Sequence, residues 1–255
     1  MAAPYPYPPA EHMLRDLRLE IWRRGGGLAV RGPAMPEVHS RAGAVGAAAL
    51  GVAVDVIGGS LSLRAVQPDW AVTSTLALHL LRPIARDFEV TGAPLRAGAT
   101  QVVLDVEVSD GDRSAGPCAV ASLAFTRISR RANTMPFVES DAEHFAFADG
   151  GSALRAPFLE RIGCRVLDAG AGVVELPVSD YVRNSVGALQ GGAVVALVDA
   201  AAESVASARL VEGTATRDLQ LHFLALGRVG PVRSRAHWLA GSARSSSSTP
   251  GRATG

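Results

Sequence analysis

The sequence contains no lysine: all 25 of its basic residues are arginine. Set against 24 acidic residues, they leave a formal net charge of +1, so neither disorder nor an electrostatic nucleic-acid surface is indicated. Beside abundant Ala and Gly, the missing lysine reads as the coding bias of a GC-rich genome rather than a binding device. Cysteine is scarce as well. Cys118 and Cys164 stand far apart without CxxC spacing, so neither a disulfide framework nor a zinc site is indicated, and both are expected as small hydrophobes in a reducing, cytoplasmic compartment. The opening MAAPYPYPPAEH has no basic stretch followed by an apolar run, so it is not expected to act as a signal peptide, and its prolines suggest a flexible lead-in. A clean membrane span is missing too. Between Arg41 and Arg64 the only charge is Asp55, but that mid-segment carboxylate, the Gly58-Gly59 pair and the lack of a flanking aromatic belt favour a buried helix.

What is present is 48% apolar residues in a chain of 255, enough for one large or two small domains with a real core. The chain is organised around residues 184–203, NSVGALQGGAVVALVDAAAE. Ala and Leu are strong helix formers, and no polar stripe interrupts Ala193 to Val198, so this segment predicts a helix that other structure must wrap. Its first turn leaves backbone N–H groups unpaired, the helix dipole adds partial positive charge there, and Gly191-Gly192 keeps that end open.

The same outline occurs earlier. GAVGAAALGVAVD at 43–55 lies on GALQGGAVVALVD at 187–199, placing Asp55 on Asp199; TSTLALHLL at 73–81 lies on TRDLQLHFL at 216–224, placing Thr73 on Thr216. Residues 14–30 and 159–174 match more loosely. The period-two pattern of the second pair is that of a half-buried strand, and self-similarity on this scale predicts a tandem repeat. Further strands are predicted at 70–81, 86–96, 101–109 and 117–129, giving an α+β unit whose curved antiparallel sheet wraps one long helix. The expected organisation is a first repeat over 11–130, a linker over 131–154, a second repeat over 155–241 and a low-complexity tail over 242–255. That tail, SARSSSSTPGRATG, stands where two more strands are expected. It reads either as a truncation or frame change in the gene, which resequencing the locus would decide, or as a natural tail.

Gly191 and Asp199 are eight residues apart, about 12 Å along a helix, so one small reacting centre cannot meet both. Two antiparallel units would instead bring the helix start of one to the Asp of the other. One composite site would join Asn184, Gln190 and Gly191 to Asp55 and Thr73; the second would join Ser40, Gly46 and Ala47 to Asp199 and Thr216. Bland readings stand beside these: a turn or cap role for Asn184, close packing for the glycines, and strand propensity for the threonines. His79 and His222 suit a core or subunit-contact role better than catalysis.

The run N-x-x-G-x-x-x-G-G from Asn184 to Gly192, followed by Asp199 and a T-x-D-L-x-L strand, resembles the hotdog-fold acyl-CoA thioesterases of the phenylacetic-acid-degradation type. The resemblance covers most of 159–240 and, more faintly, 14–130, implying a double hotdog. It further implies that Asn184 and Gly191 orient and polarise a thioester carbonyl, with Asp55 or Asp199 as base or nucleophile and Thr73 or Thr216 assisting. Gln190, Gly192 and Ser40 would complete the substrate contacts. Where that family commonly carries His-Gly-Gly this chain has Gln190-Gly191-Gly192, and the first unit has Ser40 and Gly46-Ala47-Ala48, so the Asn184/Asp55 site is expected to be the working one. No metal or redox cofactor is implied, CoA enters as part of the substrate, and neither nucleic acid nor membrane is an expected partner. The resemblance implies pairing of hotdog units, here as an intrachain pseudo-dimer and as a homodimer. The competing expectation is a non-catalytic acyl-binding or assembly protein.

Overall fold

The computed structural model describes residues 7–130, 142–209 and 214–239. The chain begins with α1 (Met13–Asp16), β1 (Glu20–Arg24) and β2 (Gly27–Gly32), followed by the long helix α2 (Ala47–Val66). Four strands come next: β3 (Trp70–Leu80), β4 (Phe88–Ala97), β5 (Gln101–Ser109) and β6 (Ala119–Ile128). After β7 (His144–Ala146) the order resumes with α3 (Phe158–Arg161), β8 (Arg165–Asp168), β9 (Val173–Leu176), the second long helix α4 (Gly191–Arg209), β10 (Asp218–His222) and β11 (Val232–Arg233).

α2 is buried on nearly every side, as its Ala, Val and Leu content requires. It stops where the chain must: Gln67, extended before Pro68, cannot continue a helix, and Arg64 in the last turn complements the dipole. β2, β3, β4, β5 and β6 all touch it, so one antiparallel sheet curves around the helix in the hotdog manner. The burial of β5 alternates along the strand, with Val102, Leu104, Val106 and Val108 turned inward. Each such large apolar side chain contributes roughly 1.5–3 kcal/mol when fully buried.

The two halves of the chain share this framework. β10 joins the eight-stranded sheet by pairing antiparallel with β3, with Gln220 opposite Ala77, the position it matches in the sequence alignment of the halves. α2 and α4 pack against each other so closely that a Cβ on Gly51 would collide with Val195 and one on Gly192 with Val52. They run in opposite directions, since the start of each meets the middle of the other. Both are long and apolar enough to cross a membrane, yet most of each is buried inside the protein. α4 is the less enclosed: among the described residues only the short β8, β9 and β11 form the second sheet, and Leu224, Val229 and Leu239 lie exposed beyond β10.

The lead-in is not loose where it is described. Arg15 donates to the carbonyls of Pro8 and Pro9 (3.1 and 2.8 Å), and the Tyr7 ring meets His12 edge-on at 5.2 Å. Cys118 is buried and Cys164 partly so. Neither His79 nor His222 sits in the core; His79 is exposed and pairs with Asp218 across the halves at 2.6 Å. The tail over 242–255 lies outside the described residues.

Candidate active site

The antiparallel crossing of α2 and α4 puts Asp55, from the middle of α2, on the first turn of α4. The Asp55 carboxylate lies against the first turn of α4, where the Gly191 and Gly192 N–H groups favour its charged form, and Thr73 Oγ1 donates to its Oδ1 at 2.7 Å. Glycine at 191 lets the carboxylate come this close: a Cβ there would lie 2.5 Å from Asp55 Oδ1 and displace it. Thr73 reaches the carboxylate from β3 beside a bulge at Ser74, where the register against β6 slips; such a bulge re-aims the neighbouring side chain.

Gln190 caps α4, its Oε1 accepting from the Ala193 N–H at 3.2 Å. Asn184 opens a tight loop and folds its Oδ1 back onto the N–H groups of Val186 and Ala188 (3.1 and 3.0 Å), which leaves its NH2 as the group able to donate outward. Asp55, Thr73, Asn184, Gln190 and Gly191 all line one cavity of about 150 Å³. Burial pushes the Asp55 carboxyl up to about 6, against the lowering effect of its bonds to Thr73, Gly192 and Gly191.

The lining of the cavity also includes Tyr7, Trp70, Phe125 and Phe147. Sequence reasoning missed these. Tyr7 lies in the lead-in and Phe147 in the stretch assigned to the linker, and the guanidinium of Arg15 fixes both segments, donating also to the Phe147 carbonyl at 3.0 Å. The available signal was composition: aromatics are only 5% of the chain, so tyrosines clustered at one end were informative.

The second predicted constellation assembles differently. Asp199 is buried, accepts from the Ala48 N–H at 3.0 Å and from the Thr216 hydroxyl, and burial raises its pKa. Ser40 turns its hydroxyl into its own loop, donating to Ala44 O and accepting from the Ala42 N–H, both at 3.3 Å. Ser40, Gly46, Ala47 and Thr216 line a cavity of about 210 Å³ in which Asp199 takes no part. Among the described residues, no group of three or more His, Cys, Asp or Glu side chains is arranged to hold a metal.

No family model and no curated protein matches this chain. Several solved structures resemble part of it. A mutant thioesterase from Pseudomonas aeruginosa aligns at 18% identity over 44% of this chain and 82% of its own, with a TM-score of 0.42. A Bacillus halodurans protein solved with CoA aligns at 20% identity over 46% and 77%, with a TM-score of 0.41. A thioesterase from Haemophilus influenzae aligns at 17% identity over 47% and 85%, with a TM-score of 0.43.

Proposed function

We propose that this protein hydrolyses an acyl-CoA thioester to the free acid and CoA, and that it does so at the Asp55/Asn184/Gly191 site of two tandem hotdog repeats. One observation carries the reading: a buried carboxylate, raised toward neutrality, is seated on the open end of a helix inside an aromatic-walled cavity. Burying a carboxylate is costly without purpose, and a pKa near 6 suits a general base at neutral pH.

In this mechanism Asp55 takes a proton from water as the water oxygen bonds to the thioester carbonyl carbon. The Asn184 NH2 stabilises the charge that develops on the carbonyl oxygen, and the Gly191 N–H joins it as Asp55, taking up the proton, loosens its hold on that group. The C–S bond then breaks as the tetrahedral adduct collapses to the acid, and the departing sulfur takes from Asp55 the proton that came from water, leaving as the CoA thiol and restoring the carboxylate. Thr73 orients the carboxylate. The cavity is smaller than the roughly 300 Å³ at which ordinary ligand pockets begin, so it would hold the acyl end while the bulk of CoA stays outside. No cofactor beyond the substrate's own CoA is needed, and we place the protein in the cytoplasm, paired as a homodimer.

The test is thiol release from a panel of acyl- and aryl-CoA thioesters by the wild type, Asp55→Asn and Asp199→Asn. Folded wild-type protein that releases no thiol from any of them would sink the proposal. A second reading, an acyl-CoA-binding protein without turnover, is favoured by one feature: Asp55 itself occupies the Gly191 and Gly192 N–H groups that a carbonyl would need. Saturable binding by calorimetry without thiol release would select it.

A further inference from the structure

We propose that His12, contributed by the first half of the chain, is a positioning residue for Asn184: it grips the loop that presents the asparagine to the cavity. Its kinetic consequence rests on the thioesterase reading above; its structural consequence does not.

His12 is fully buried at the start of α1. Its Nδ1 lies 3.2 Å from the Leu14 nitrogen, whose N–H can only donate, so Nδ1 is the acceptor and the proton resides on Nε2. That Nε2–H donates to the carbonyl of Arg183 at 2.9 Å, one residue before Asn184 and 171 residues along the chain. Burial holds the imidazole pKa below its usual range and keeps this neutral tautomer. A second strut reinforces the grip: Tyr181 donates to Asp16 Oδ2 at 2.8 Å.

The other half of the molecule shows that the loop does not need the grip to form. From Val182 to Gln190, the Gln190 N–H donates to Val182 O and the Asn184 N–H to Ala188 O (2.9 and 2.7 Å). From Val38 to Gly46 the same two bonds recur, Gly46 N–H to Val38 O and Ser40 N–H to Ala44 O (3.0 and 2.8 Å). Yet the position matching His12 is Pro157, which makes no side-chain cap bond and has no donor to offer. Among the described residues the two loops of one backbone design therefore differ at this point: the Asn184 loop is held by its backbone through buried His12, whereas the Ser40 loop reaches the other half through the exposed Arg41 side chain, which donates to Ser207 Oγ at 2.8 Å. A clamp unnecessary for the loop's shape serves the placement of what the loop carries.

Two substitutions separate the jobs of the two ring nitrogens. His12→Asn keeps an oxygen near Nδ1 to cap α1 and deletes the Nε2 donor; His12→Gln places an amide NH2 near Nε2 and gives up the cap. The measurements are kcat and KM on a thioester that the wild type turns over, and amide hydrogen exchange over 182–190. His12→Asn is expected to lower kcat about ten- to hundredfold with KM within about twofold, since misplacing a catalytic group acts on the transition state. Its loop should exchange roughly fivefold faster, the worth of one hydrogen bond, while His12→Gln stays near wild type on both. Wild-type kcat and loop exchange in His12→Asn would overturn the proposal, as would a His12→Gln that is impaired while His12→Asn is not. A wild type that releases no thiol would fail the thioesterase reading, and the exchange comparison would still decide the clamp.

Discussion

Asp55 and Asp199 occupy matched positions on the two long helices, both are buried, and both accept from a threonine hydroxyl and from the start of the opposite helix. What surrounds them differs. Asp55 meets two glycine N–H groups and faces a cavity with Asn184 and Gly59; Asp199 meets one N–H, from Ala48, and the position matching Gly59 is Glu203. Burial, and then the charge of Asp199, push the Glu203 carboxyl up to about 7. A carboxyl group stands where the Asp55 cavity has a glycine, and Ser40 replaces Asn184 with its hydroxyl already spent. The helix–carboxylate contact is thus a property of the fold, present twice, whereas the constellation proposed for thioester hydrolysis is present once.

The largest expected effect tests this contrast directly. Asp55→Asn should lower thiol release about a thousandfold, the middle of the range a general base contributes, while Asp199→Asn stays within about twofold. Equal losses would erase the distinction between the sites. Next comes an exchange of geometry: Gly191→Ala imposes on Asp55 the methyl group that Ala47 carries on the other side. The carboxylate must then shift, and kcat should fall about a hundredfold. The reverse change, Ala47→Gly, should leave kcat alone and cost at most about 1 kcal/mol of stability by chemical denaturation.

Two smaller effects sharpen the comparison. Thr73→Val should reduce kcat about tenfold and Thr216→Val should not, read in the same assay. The rate should rise with pH through about 6 and level off above it, as Asp55 loses its proton. Stability should show the opposite trend. The folded carboxyl binds its proton more tightly than the ordinary value of 3.8 found in the unfolded chain, so the fold loses stability as pH climbs from about 4 to about 6. Asp55→Asn removes that loss. It should raise stability at pH 8 by on the order of 2 kcal/mol and change it little at pH 4, measurable as a shift in Tm.

The wrapped helix and its strands are legible in the sequence because local rules dominate them. β3 and β5 occupy Trp70–Leu80 and Gln101–Ser109, where alternation predicts 70–81 and 101–109. The meeting of Asp55 with Gly191 follows from helix rise and a presumed antiparallel pairing, neither of which needs coordinates. The remainder depends on partners distant in the chain. The bulge at Ser74 exists only once β3 pairs with β6, and no residue preference at Ser74 announces it. Tyr7 and Phe147 become cavity walls through an arginine that gathers carbonyls from both of their segments. His12 and Arg183 have no shared periodicity that could link them.

One consequence of joining α2 and α4 in a single chain concerns dilution and inheritance. A site shared between separate subunits comes apart below their dissociation constant, whereas Asp55 and Gly191 are tethered, so activity per molecule should be independent of protein concentration. In a symmetric homodimer every substitution alters both sites at once. Here each carboxylate has its own codon, and one pocket is free to drift while the other is kept.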